Sequence, residues 1–151
     1  MKVRDSIYHP AVMVEGDATI ADAARAMAKQ GVGTLVVVDQ KRLVGIVTDR
    51  DLVVRAVARS LPLDARIDSI MSTNVIAVEA DSDLSEAIKA FAHHAVRRLP
   101  VMDGNTVCGV ISIDDLTVAT AQQLGELSRG VTAQIMFPHA ADLAPPPALV
   151  Q

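Results

Sequence analysis

Gly45-Ile46-Val47-Thr48-Asp49-Arg50-Asp51-Leu52 returns further along the chain as Gly109-Val110-Ile111-Ser112-Ile113-Asp114-Asp115-Leu116. Both stretches read glycine, two β-branched apolar residues, a hydroxyl residue, two spacers, aspartate and leucine. The offset is 64 residues, and it holds without a gap from Val14/Val78 to Ala58/Gln122. Of those 45 pairs 14 are identical, among them Asp17/Asp81, Val32/Val96, Leu35/Leu99, Asp39/Asp103 and Asp51/Asp115. The chain is a tandem duplication, and the period decides the fold before any single motif does. A unit of this size buries too little of its surface to be stable alone, so the two copies are expected to pack on each other.

Each copy carries the same order of patterns. A short strand (Val12–Val14, Ile76–Val78) leads to an acidic turn, where Asp17 and Asp81 are placed to cap a helix. Ile20, Ala23, Ala24 and Met27 fall at i, i+3, i+4, i+7, as do Leu84, Ala87, Ile88 and Phe91, which predicts amphipathic helices. Gly31 ends the first helix. A buried strand (Thr34–Val38, Arg98–Met102), a turn and a return strand (Leu43–Val47, Val107–Ile111) follow. Thr48 and Ser112 then stand as N-caps of a last helix. The predicted fold class is α/β (α+β), two β-α-β-β-α repeats. Repeat 1 spans 5–60, a linker containing Leu61-Pro62-Leu63-Asp64 spans 61–69, and repeat 2 spans 70–127. Residues 128–151, with Pro145-Pro146-Pro147, are expected to be a mobile extension.

Composition narrows the partners. Half the residues are hydrophobic and mean hydropathy is +0.32, yet aromatics are only 2%, so the core is aliphatic. The net charge is -4, and Tyr8, Phe91 and Phe137 are the only aromatics. Such a chain lacks both the basic field and the stacking platforms of a nucleic-acid binder. The single cysteine, Cys108, excludes an intrachain disulfide and fits a reducing compartment; it reads as a buried, inert small hydrophobe. No apolar run approaches the roughly 20 residues of a membrane span, and no secretory leader is evident. A cytoplasmic protein is expected.

The repeated strand-to-helix junction carries the chemistry. A hydroxyl at a helix N-terminus stands beside unpaired amides and suits a phosphate oxygen. Asp51, three residues after Thr48, shares its face and offers an acceptor for vicinal hydroxyls such as those of a ribose. Gly45 lets the strand backbone run close to a neighbour or a flat base. The same residues also make sense as helix caps and first-turn acids, and duplication copies structural features as readily as functional ones.

The junction Thr48-Asp49-Arg50-Asp51-Leu52 and the approach His93-His94-Ala95-Val96-Arg97-Arg98-Leu99-Pro100-Val101 resemble the CBS domain, named for cystathionine β-synthase. Ile70-Met71-Ser72-Thr73 resembles the family's usual lead-in, and Ser6-Ile7-Tyr8-His9 a weaker version. The likeness covers roughly residues 5–127. It implies two repeats packed sheet to sheet about a pseudo-twofold axis, a free-standing Bateman module. Two clefts between the repeats would accept AMP, ADP, ATP or S-adenosylmethionine, with no obligatory cofactor. Asp51 and Asp115 would bind ribose hydroxyls, and Thr48 and Ser112 the phosphate or sugar. Ile46 and Val110, with Ala11 and Val75 from His9-Pro10-Ala11 and Thr73-Asn74-Val75, would wall the adenine. Arg97 and Arg98 occupy a position of phosphate contacts. Arg50 stands beside Asp51, whereas its counterpart is Asp114, so the Asp51 cleft, completed by Arg97 or Arg98, is expected to be the better phosphate site. The resemblance further implies a homodimer and a regulated partner protein, with no catalysis. A docking scaffold that binds no nucleotide is the alternative. His93, His94, His9 and His139 form no metal-ligand spacing, and neighbouring histidines on a helix point about 100° apart. No metal site and no nucleophile constellation is expected.

Overall fold

The computed structural model describes residues 1–8 and 10–136. Met1–Leu116 is one compact unit, and the described residues from Thr117 to Met136 belong to a second. The first repeat comprises β1 (Met13–Glu15), α1 (Ile20–Gln30), β2 (Thr34–Asp39), β3 (Arg42–Thr48) and α2 (Asp49–Asp51). The second comprises β4 (Val78–Glu79), α3 (Leu84–His94), β5 (Arg98–Asp103), β6 (Thr106–Ser112) and α4 (Ile113–Met136). The β-α-β-β-α order is as read from the sequence, and the fold is a mixed α+β tandem repeat.

Each repeat contributes a three-stranded sheet, β1-β2-β3 or β4-β5-β6. The first pair of each is parallel and the second antiparallel. Registers repeat with the duplication: Val37 faces Gly45 as Val101 faces Gly109. Even the irregularity recurs, between Val37/Val38 and Val101/Met102. Leu35 and Leu99 are wholly buried at equivalent sites. Ile20, Ala23 and Met27 of α1 pack with Leu35, Val37 and Val47 in one core, which Ile67 and Ile70 complete. A second cluster joins the repeats: Val36 and Val38 from β2 meet Val107 from β6, with Ala11 and Val110 against them.

The lead-in segments are exchanged between repeats. Ile67 N donates to Ala18 O at 2.7 Å, and Thr19 bridges to Arg66, so residues 66–67 dock on repeat 1. Reciprocally, Val3 N donates to Ser82 O at 3.0 Å, and Lys2 bridges to Asp83 on repeat 2. This pairing moves the helix caps. Thr19 and Asp83, not Asp17 and Asp81, cap α1 and α3, accepting from the amides of Asp22 and Ser85. The cross-repeat bonds hold the chain extended through Thr19 and Asp83, which delays both helix starts by two residues. Asp81 instead pairs with Arg4 at 2.7 Å.

Other boundaries differ from expectation. The first strands begin at Met13 and Val78. The last helix of repeat 1 is not one regular helix: α2 passes into a wide π-turn at Leu52–Ala56 and a 3-10 turn at Val57–Arg59, ending at Ser60 with φ 55°. In repeat 2 the corresponding α4 continues unbroken to Met136, past the expected boundary at Leu127. Part of the expected extension is therefore helical, while residues 137–151, with Phe137, His139 and the proline run, lie outside the described residues, as does His9. Gly31 closes α1 in the left-handed region (φ 65°), where its counterpart Ala95 adopts φ 52°.

Candidate functional site

At both strand-to-helix junctions the hydroxyl and carboxylate bind each other's backbone. Asp51 N donates to Thr48 Oγ1 at 3.2 Å, and Thr48 N donates to Asp51 Oδ2 at 2.9 Å. In repeat 2, Asp115 N donates to Ser112 Oγ at 3.1 Å, and Ser112 N donates to Asp115 Oδ2 at 2.8 Å. These are reciprocal capping boxes that satisfy two otherwise orphaned donors. The capping role is therefore real, but it engages only one carboxylate oxygen. Asp51 Oδ1 is 3.7 Å from Arg55 Nε, with the aspartate side chain 18% exposed. A carboxylate oxygen outside the capping box keeps lone pairs that can accept further hydrogen bonds.

Around Asp51 lies a cleft of about 500 Å³. It gathers Ile46, Thr48, Arg50, Asp51, Val75, Arg97 and Arg98, all singled out from the sequence. Asp49, Ser72, Asn74, Ile76, Val96 and Pro100 complete its wall. Its equivalent around Asp115 is smaller, about 210 Å³, with Val110, Ser112, Asp115 and again Arg98 in its lining. Pro10, Val12, Val32 and Thr34 form its other side. Ala11 lines neither cleft: it points its small side chain into the inter-repeat cluster with Val36 and Val38, leaving Pro10 and Val12 at the cleft. A third hollow, about 600 Å³, is lined by Glu15, Asp17, Asp39 and Asp68, with Arg66 as its one cation among the described residues. Its acidic wall repels phosphate despite its size.

The junction glycines serve backbone approach. A methyl group on Gly45 would collide with Met71 and come within 3.1 Å of Ser72 O, and one on Gly109 would collide with Ile7. The neighbour is thus the exchanged lead-in rather than a flat base. Ile46 and Ser72 exchange backbone bonds at 3.0 and 2.9 Å, which fixes Ser72 in the Asp51 cleft. Arg55, overlooked in the sequence, donates to Ile70 O at 3.0 Å and Ser72 Oγ at 3.3 Å. It therefore links the Asp51 carboxylate to the lead-in of repeat 2. Its repeat equivalent is Ala119, and that lack of a basic twin hid it.

Cys108 is exposed rather than buried, because it alternates with the buried Val107 and Gly109 on β6. Desolvation of the thiol and the nearby Asp103 raise its pKa above the usual range, which keeps it a poor nucleophile. The His93 and His94 rings meet edge to face with centroids 4.9 Å apart. Among the described residues, no group of three or more His, Cys, Asp or Glu is placed to hold a metal ion. No helix there is long and apolar enough to cross a membrane.

Comparison with known proteins agrees with this geometry. The CBS domain model matches twice, at residues 3–57 and 67–121. The CBS domain-containing protein YhcV of Bacillus subtilis (strain 168) is 33% identical over 116 residues, 77% of this chain and 83% of that one. The AMP complex of CBS domain protein PAE2072 from Pyrobaculum aerophilum superposes with TM-score 0.69 at 31% identity, covering 76% of this chain and 89% of that one. The CBS domain pair of protein MJ0100, bound to 5′-methylthioadenosine and S-adenosyl-L-methionine, gives TM-score 0.73 at 25% identity over 82% of this chain and 98% of that one. With two matched repeats, two matching sheets and two pseudo-equivalent clefts, the chain belongs to the CBS domain family and is a CBS domain pair.

Proposed function

We propose that this chain is a non-catalytic regulatory module that senses an adenosine-type ligand, chiefly in the Asp51 cleft. One observation carries the reading: a single cleft of about 500 Å³ collects a junction hydroxyl, a carboxylate with an uncapped oxygen, an apolar wall and three arginines. Asp51 Oδ1 accepts from the ribose hydroxyls, Thr48 and the arginines hold phosphate oxygens, and Ile46 and Val75 flank the base. Arg50 and Arg97 are exposed and Arg98 half-buried, a gradient that suits a phosphate tail directed outward. Relatives bound to AMP and to S-adenosyl-L-methionine support the ligand class.

Occupancy acts by differential affinity. A ligand that draws Asp51 away from Arg55 alters the link to Ile70 and Ser72, and so favours one arrangement of the repeats. The exposed Val53, Val54 and Val57 after Asp51 support a homodimer along this edge, and a regulated protein reads the resulting state. Thermal unfolding with AMP, ADP, ATP and S-adenosylmethionine tests the reading. A ligand at 100 times its Kd stabilises the fold by about 2.7 kcal/mol, a rise of several degrees in Tm. Absence of any shift across the panel would favour the docking-scaffold reading instead.

A further inference from the structure

Arg55 does not line the Asp51 cleft, yet its guanidinium connects that cleft to a segment outside it. Nε is 3.7 Å from Asp51 Oδ1, while Nη1 donates to Ile70 O at 3.0 Å and to Ser72 Oγ at 3.3 Å. Asp51 belongs to the junction of repeat 1, and Ile70 and Ser72 to the lead-in of repeat 2. Well-formed guanidinium–carboxylate bonds close to about 2.7–2.9 Å, so the contact with Asp51 is loose. A bond of 3.3 Å to Ser72 is also long. The guanidinium is thus anchored on Ile70 O and shared weakly between Asp51 and Ser72.

The backbone that carries Arg55 has two registers within reach. Leu52–Ala56 forms a π-turn, and the Val57 amide donates to both Leu52 O and Val53 O. Those carbonyls are the partners of π and α spacing respectively. Such turns are rare and recur at functional sites. This one is peculiar to repeat 1: the equivalent residues 116–120 lie within α4, and Ala119 stands where repeat 1 has Arg55. A side chain carried on a turn with two discrete arrangements can change acceptors while its element stays folded.

We propose that Arg55 is a positioning residue that relays occupancy of the Asp51 cleft to the repeat 2 lead-in. Ligand hydroxyls that bond to Asp51 Oδ1 take over the acceptor shared with Nε, and the guanidinium closes on Ile70 O and Ser72 Oγ. The lead-in is thereby fastened more tightly to the edge of repeat 1. The relay rests on the adenosyl reading above and deepens it by naming how that one cleft is read out; the Asp115 cleft, with Ala119 at the matching position, has no such relay.

Amide hydrogen exchange of the full chain with and without saturating AMP tests it, read at Ile70 and Met71. Both amides donate to Ile67 O, and neither residue lines the cleft. In the wild type AMP is expected to slow their exchange at least threefold. Arg55→Met keeps the apolar stem but removes the charge and donors. With a side chain 41% exposed, it is expected to stay folded and to bind AMP about fivefold more weakly, since the coupling is reciprocal. At AMP saturation its Ile70 and Met71 amides are expected not to respond. Arg55→Lys, which restores a charge and donors, is expected to regain part of the response. A full response in Arg55→Met, or none in a wild type that binds AMP, would overturn the relay and leave the adenosyl reading intact. A wild type that binds no AMP would remove both.

Discussion

In the Asp51→Ala variant, affinity for AMP is expected to fall about 100-fold, equivalent to about 2.7 kcal/mol. Hydrogen bonds to a charged acceptor contribute about 1.5–3 kcal/mol each, and Asp51 Oδ1 is the carboxylate oxygen that the cap leaves free. The same substitution removes the acceptor for Thr48 N, at a cost of about 1 kcal/mol of fold stability. Asp51→Asn separates the two effects, since its amide oxygen still accepts from Thr48 N but carries no charge. Calorimetry on both folded variants is expected to give weak binding with alanine, intermediate binding with asparagine, and near-native unfolding only with asparagine. Equal AMP affinity in all three proteins would remove Asp51 from the site.

Alanine at Gly45 is expected to destabilise the fold by about 1–3 kcal/mol, the usual cost of forcing an added group into a packed interior. The thioether of Met71 is flexible and yields. Ser72 O, 3.1 Å from the added methyl, is backbone and is held by the Ile46 amide, so the lead-in strand itself must shift. Because Ser72 also lines the Asp51 cleft, AMP binding is expected to weaken along with the urea midpoint. Gly109→Ala is expected to cost less, since the three nearest atoms it meets all belong to the Ile7 side chain and none is backbone. Equal loss in the two variants would show that the backbone contact at Ser72 is not the discriminating one.

What the sequence made legible follows from what a repeat reports. The 64-residue offset names equivalent positions, so the order of elements, the junction caps and the candidate residues around Thr48/Ser112 and Asp51/Asp115 could be read in pairs. It does not report which repeat a segment docks on. Arg66 and Ile67 precede repeat 2 in sequence but pair with Ala18 and Thr19 of repeat 1, and this exchange moved the helix caps away from Asp17 and Asp81. Residues without a chemically similar twin were also hidden. Arg55 faces Ala119 in the alignment and gains meaning only when folding sets it beside Ser72. Ala11 failed for a simpler reason, since a one-residue difference on an extended segment turns a side chain from cleft to core.

The central claim is that AMP occupies the cleft built by Thr48, Asp51, Ser72 and Arg97. Titration of ¹⁵N-labelled protein with AMP tests it at residue level. The account predicts that the largest amide shift changes fall on Thr48–Asp51, Ser72–Ile76 and Val96–Arg98, with smaller ones around Glu15–Asp17 in the acidic hollow. Shift changes centred on Glu15, Asp39 and Asp68, or none at saturating AMP, would contradict it.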